Sequence, residues 1–293
     1  MGTRQVILVL PLGFFLSATP TRAQDPCDAS VESKVAAGAH SIWTGPPGGY
    51  YDKVGQALKY SAQHSDLQIV PVTSNGSVQN ICALVQGKTD FALVQSDAAH
   101  LAWYGEQPFR EKYDSTLQLV APLFTEKVHI LTRPHLYIPS PAGLMRPHSV
   151  WMGHENSGSE LSAQLVLRAS GKSQDEITAL KATPPPTDLC EAVNRLKTWK
   201  LDAIFQTEVA PAKDIADALS EPRSEIRLLG FDWSSVELLV KNGMYIETSL
   251  QKTEYPQLDG GIYTVGVEAL LLTRSPILPC ETNAILHAPS SRL

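Results

Sequence analysis

At 293 residues the chain can form one large or two medium domains, and its 43% hydrophobic and 18% charged residues are ordinary for a globular protein. A formal net charge of −6 and the lack of any basic run exclude nucleic acid as an expected partner. Beyond the N-terminus no stretch is apolar and long enough for a membrane helix.

Residues 1–23 read as a secretory signal. Arg4 precedes an apolar run from Val6 to Leu16, and Thr21 and Ala23 supply small residues for cleavage after Ala23. The run is too short to span a bilayer, and no cysteine stands where a lipid anchor would need one. Cleavage removes Arg4 and Arg22 and no acid, so the mature chain, expected in the periplasm, is more acidic still. Cys27, Cys82, Cys190 and Cys280 then meet an oxidising compartment, where one or two disulfides are plausible and three full pairings are open. Cys82 and Cys190 also fit as small apolar residues of helices. Without a C-x-x-C there is no zinc-ribbon or thioredoxin-type redox signal.

A short strand at Ile42-Trp43 enters the turn Gly45-Pro46-Pro47-Gly48-Gly49, and a helix begins near Tyr50 with Val54, Ala57 and Leu58 at helical spacing. Glycines before a helix start let a bound group approach the free first-turn N–H groups, which favour an anion. Neither the phosphate-loop Lys-Ser/Thr nor the dinucleotide fingerprint accompanies them. The design repeats. Leu67 to Val72 is strand-like, the turn Thr73 to Ser77 follows, and residues 78–86 read as a helix for which Ser77 is a cap candidate. Asp90 to Gln95 is a buried strand ending in Gln95-Ser96-Asp97, before a helix over 98–104, with Asp97 either a cap or a ligand group. Leu117 to Thr132 holds two strand-like runs in what would be a hinge region, and a Pro-broken loop follows.

Ser149 to Gly153 starts a strand that ends in His154-Glu155-Asn156-Ser157-Gly158-Ser159, with a helix over 160–170. An amphipathic helix over 188–198 leads to the strand Leu201 to Gln206, which echoes Thr89 to Gln95. A helix over 211–219, a strand over 226–229, a helix over 234–242 and the apolar run TVGVEALLLT complete the pattern. Alternating strands and helices with polar turns at strand ends predict an α/β sheet protein whose two similar halves face each other.

The segments GPPGGYY, TSNGSVQNICAL with GKTDFALVQSD, NSGSELSAQLVL and LDAIFQT, in this order behind a signal sequence, resemble the TAXI class of extracytoplasmic solute receptors of TRAP transporters. The resemblance spans about Ser41 to Leu272. It implies a two-lobed, type II periplasmic-binding-protein-like α/β fold, each lobe a mixed sheet flanked by helices. Lobe 1 would take residues 24–130 with the chain returning over 226–293, and lobe 2 residues 131–225. It further implies a monomeric receptor for a small carboxylate-bearing solute of the amino-acid or dicarboxylate class, with a TRAP-type membrane permease as partner and no cofactor or metal.

Carried over by motif, the ligand residues are Gly48, Gly49, Tyr50, Ser74, Gly76, Ser77, Asn80, Gln95, Ser96 and Asp97 from the first lobe. Asn156, Ser157, Gly158, Ser159, Phe205 and Gln206 come from the second. Replacing Ser77 and Ser159 by Ala is expected to weaken binding without unfolding the chain. Three departures from the family pattern stand out: Pro47 or Gly48 where Thr is usual, His154-Glu155 in the second-lobe turn, and a Pro-rich tail after Leu272 where further helices are usual. The tail is open to two readings, a truncation or a frameshift relic. Catalysis is not expected, because no Gly-x-Ser-x-Gly and no H-E-x-x-H occurs among the eight histidines and their neighbours.

Overall fold

The computed structural model describes residues 25–28, 38–63, 67–221 and 225–274. The signal sequence, the Pro-rich tail and Cys280 lie outside the described residues.

Strands β1 (His40–Trp43), β2 (Ile69–Val72) and β3 (Phe91–Gln95) pair in parallel in the order β2-β1-β3. Between them run helices α1 (Tyr50–Ala62) and α2 (Ser77–Val85), and α3 (Ser96–Tyr104) follows β3. All five residues of β3 are buried, as a parallel strand covered on both faces requires. Trp43, Ile81, Leu84, Ala92 and Val94 pack on one face, and Ile42, Tyr51, Val54, Phe91 and Leu93 on the other.

The run expected to hold two strands is a single strand, β4 (Leu117–Thr132), with register shifts between Leu119 and Ala121 and between Pro122 and Phe124. Pro122 lacks an N–H for the ladder, and a bulge absorbs that loss. The first part of β4 pairs antiparallel with β9 (Ile262–Arg274), and its end, Lys127–Thr132, with β6 (Ala203–Glu208). β9 joins β3 through Ala269–Thr273, and its start pairs with β8 (Ile246–Leu250). β4 and β9 therefore run from one lobe into the other and tie them into one mixed sheet, β2-β1-β3-β9-β4-β6-β5.

The second lobe comprises β5 (Val150–Trp151), α4 (Gly158–Ala169), α5 (Gln174–Leu180), α6 (Leu189–Lys197), β6, α7 (Lys213–Ser220), β7 (Arg227–Leu228) and α8 (Trp233–Lys241). Helix α5 has no counterpart in the sequence reading. Its start is a capping box in which Ser173 accepts from the Glu176 N–H while Glu176 accepts from the Ser173 N–H. The expected return to lobe 1 at residue 226 falls elsewhere in the packing. Val236 and Leu239 of α8 share a core with Val150, Met152 and Phe205, and β7 pairs with the end of β4. The chain returns along β9 instead.

Cys27 and Cys82 form a disulfide, which fixes the N-terminal segment to α2. Cys190 is a free, exposed thiol rather than a buried helix residue. Among the described residues no helix is long and apolar enough to cross a membrane.

Candidate functional site

The first turns of five helices, α1, α2, α4, α6 and α7, line one cavity of about 420 Å³ between the lobes. Strand–turn–helix units put the starts of α1, α2, α4 and α7 at the carboxyl ends of β1, β2, β5 and β6, and the two lobes turn those edges toward each other. The Gly45-Pro46-Pro47-Gly48-Gly49 turn forms one wall. Gly48 takes φ +77°, which favours glycine, and its N–H donates to Asp52 at 2.8 Å. Gly49 is the residue before α1, and no side chain caps that helix. Nor does any side chain cap α2, whose start at Gly76 has φ +124°.

The two lobes repeat one device. Ser77 at the start of α2 accepts the N–H of Gln95 at 3.0 Å, joining helix to strand end. Ser159 at the start of α4 accepts the N–H of Thr207 at 3.0 Å in the same manner. Ser77 is thus a strand-to-helix bridge rather than a cap, whereas Ser157 does cap α4, accepting the N–H of Glu160 at 3.0 Å. The echo between Thr89–Gln95 and Leu201–Gln206 has this shared geometry behind it.

Acidic groups occupy another wall. Glu126, at the point where β4 leaves β9 for β6, is buried, and accepts from the Tyr51 hydroxyl at 2.7 Å. Burial pushes its pKa up to about 8; the carboxylates of Glu208 and Asp97 push the same way, and the bonds from Tyr51 and Gln95 oppose them. Burial likewise raises Glu208, helped by Asp214 and opposed by Lys53. The Tyr51 phenol is driven well above its ordinary value, first by burial and then by Glu126. His154 lies edge-on to Trp151 with centroids 5.7 Å apart, and burial lowers its pKa. Its ring lines the cavity, whereas Glu155 is exposed.

Of the residues expected to meet a ligand, Gly48, Gly49, Tyr50, Gly76, Ser77, Gln95, Ser157, Gly158, Ser159 and Gln206 line the cavity. The others stand behind it. Ser74 donates to Asn80 at 2.6 Å, and Asn80 donates to the carbonyls of Thr44 and Leu93 at 2.6 and 2.7 Å, tying β1 and β3 to α2. Ser96 accepts the N–H of Glu268 on β9. The Asn156 carbonyl accepts the N–H of Gln79. Phe205 is fully buried in the second-lobe core, because strand alternation turns it away from the cleft. Tyr51, next to the expected Tyr50, also lines the cavity, and so do Glu126, Trp151, Thr207 and Glu208, which the sequence motifs do not single out. A lone acid inside the apolar strand run 117–132 was the available signal for Glu126.

Asp97 joins the lobes. Fully buried on α3, it accepts from Ser162 of α4 at 2.9 Å and from the Tyr245 hydroxyl at 2.6 Å. Burial raises its pKa, and those two bonds oppose the rise. Nearby, the Gln79 N–H meets the Asn156 carbonyl at 3.1 Å, and the Asn75 amide meets the Glu155 carbonyl at 3.0 Å. An added Cβ on Gly158 would collide with the Gln95 amide oxygen and lie 2.7 Å from Ser77 Oγ. The lobes are therefore in contact at the starts of α2 and α4, a closed arrangement. Among the described residues no cluster of His, Cys, Asp or Glu is arranged to hold a metal ion.

Two lobes bridged by long strands, with a polar cavity at opposed helix starts, define the fold of periplasmic binding proteins. The chain matches the NMT1-like family over residues 42–279 and belongs to it. It is similar in fold to MatC from Rhodopseudomonas palustris, solved with bound malate (14% identity, 85% of this chain and 82% of that one, TM-score 0.55). It is similar also to a periplasmic transporter (12% identity, 85% and 81%, TM-score 0.52) and to XAC2383 from Xanthomonas citri, solved with chloride (11% identity, 86% and 83%, TM-score 0.51).

Proposed function

We propose that the chain is a periplasmic solute-binding receptor, exported by its N-terminal signal, that captures a small carboxylate-bearing solute between its lobes. It hands the solute to a TRAP-type membrane permease and binds without turnover. The convergence of five helix starts on one interlobe cavity carries this reading. First-turn N–H groups point where a carboxylate can accept several charge-assisted hydrogen bonds, and the helix dipoles favour its charge without any arginine. Tyr50 and Trp151 supply apolar faces for the solute's carbon skeleton. The malate held by MatC is in keeping with a carboxylate ligand.

Closure buries the solute and makes it a bridge between lobes, so its binding energy shifts the open–closed equilibrium. Thermal melting against a panel of carboxylates, amino acids and neutral sugars tests the proposal. A ligand that binds only the native state raises the melting temperature, by about 2.7 kcal/mol of added stability at a hundredfold excess over Kd. A rise with at least one carboxylate-bearing solute is expected. A rise with neutral sugars alone, or none at all, would overturn it.

A further inference from the structure

We infer that closure of the two lobes is coupled to uptake of a proton from solvent by Asp97, so that the receptor closes, and holds its solute, more firmly in acid than in neutral solution. The inference rests on the two-lobed receptor reading above and adds the regulation of its site.

Closure is the docking of one stripe of α4 onto the first lobe. Gly158, Leu161, Ser162 and Leu165 recur at helical spacing and share a face. Gly158 lies against Gln95 and Ser77, Leu161 belongs to the first-lobe core with Val78, Ala98 and Leu101, and Leu165 packs on the cores of both lobes. Ser162 is the polar member of the stripe. Its hydroxyl lies 2.9 Å from Asp97 Oδ2 and 3.4 Å from Gln95 Oε1. The Tyr245 hydroxyl, also from the second lobe, meets the same Oδ2 at 2.6 Å, and the Ala98 N–H meets Oδ1 at 2.7 Å. Asp97 is fully buried, and groups of the opposite lobe complete that burial. Parting of the lobes returns it to water on the first turn of α3, where the helix start favours the charged carboxylate.

The closed arrangement suits the neutral acid. Ser162 has one hydroxyl hydrogen, for which an ionised Asp97 and the Gln95 amide oxygen compete. A protonated Asp97 donates to Ser162 Oγ instead and leaves the Ser162 hydrogen to Gln95, so every group is served. No cation offsets the ionised form: among the described residues no ion pair reaches Asp97. The titratable groups that face it are Tyr245, Tyr51 of α1 and Glu126 of β4. Of the elements packed on α3, α2 carries no acid or base beyond the disulfide Cys82, and β3 carries none. On α4, Glu160 and Arg168 are engaged by Lys181 and Gln174, and on β9 Tyr263, Glu268 and Arg274 are exposed. On α3 itself His100 packs on Tyr104. Burial raises the closed-state value of Asp97 above its ordinary 3.8. The advantage of the closed form is therefore complete below 3.8 and is lost as pH rises through the raised value.

The Gln79 amide reads the opening directly. It is in the first turn of α2, has no acceptor within that helix, and donates to the Asn156 carbonyl across the lobes at 3.1 Å. Its hydrogen exchange, corrected for the intrinsic pH dependence of amides, is followed in the intact secreted protein without solute between about pH 4.5 and 8. Protection is expected to fall with rising pH, by up to about tenfold for each unit. Asp97→Asn should give a flat profile, and Glu126→Gln should keep the fall. Tyr245→Phe, which serves also if Asp97→Asn does not fold, removes a donor that favours the charged form and should move the fall to higher pH. A flat profile in the wild type, a fall kept by folded Asp97→Asn, a fall lost in Glu126→Gln, or one unmoved in Tyr245→Phe would each overturn the inference. None of these outcomes touches the carboxylate reading, which the melting panel tests separately.

Discussion

Replacing Glu126 by Gln isolates the cost of holding an acid in the cavity wall. Gln keeps the shape and can still accept from Tyr51 Oη, the bond that the native carboxyl makes at 2.7 Å. It cannot ionise. The native carboxyl titrates at about 8 rather than at its ordinary 4.5, with burial as the main cause. Between those pH values the folded chain holds a proton that the unfolded chain has released. Stability must therefore fall as pH rises through this window, being highest below the unfolded pKa. The full difference is worth about 5 kcal/mol as an upper limit, at 1.36 kcal/mol for each tenfold change. The variant lacks this loss. For a chain of this size 1 kcal/mol moves the melting temperature roughly 2–4 °C. Solute-free wild type and Glu126→Gln, melted at pH 5, 6.5 and 8.5, should be close at pH 5. By pH 8.5 the variant should melt roughly 10 °C higher, allowing for partial relaxation around the charge. Parallel curves across that range would refute the burial argument, since they would mean that Glu126 ionises in the fold as readily as in the unfolded chain.

Gly158→Ala should block closure, because its Cβ meets Gln95 and Ser77 across the lobes; solute affinity should fall about tenfold or more with little change in solute-free melting temperature, and unchanged affinity would refute the contact. Ser77→Ala and Ser159→Ala each leave a buried strand N–H unpaired, so both should lose about 1–3 kcal/mol in urea titration as well as binding; retained stability would show that the bridges are dispensable. Opening the Cys27–Cys82 disulfide, by reductant or by Cys27→Ser, releases a loop with a sequence separation of 55 and should cost about 4 kcal/mol, read as a lower urea midpoint. No change in midpoint on reduction would refute that value.

Periodicity and turn chemistry by themselves determined the alternation of strands and helices, the polar turns at 45–49, 73–77 and 154–159, and the likeness of the two halves. These are local properties: a Gly-rich turn and a 3.6-residue apolar repeat act over a few residues. Local pattern also brought Ser77 and Ser159 forward, though not their true bonds, which reach 18 and 48 residues along the chain. Packing decided the rest. Phe205 and Gln206 are neighbours in sequence, yet strand pleating sends one into the core and leaves the other at the cavity. Asp97 looked like a cap or a ligand, and only the approach of Ser162 and Tyr245 from the other lobe makes it a buried link. Glu126 is an unremarkable acid in a strand until β4 carries it across the lobe boundary, where loss of water and the nearness of Glu208 alter its chemistry. The sequence by itself therefore determined the elements and the turns that can bind. Which side chains share one cavity, and with what charge, depends on contacts between residues far apart in the chain, and only the tertiary structure decided that.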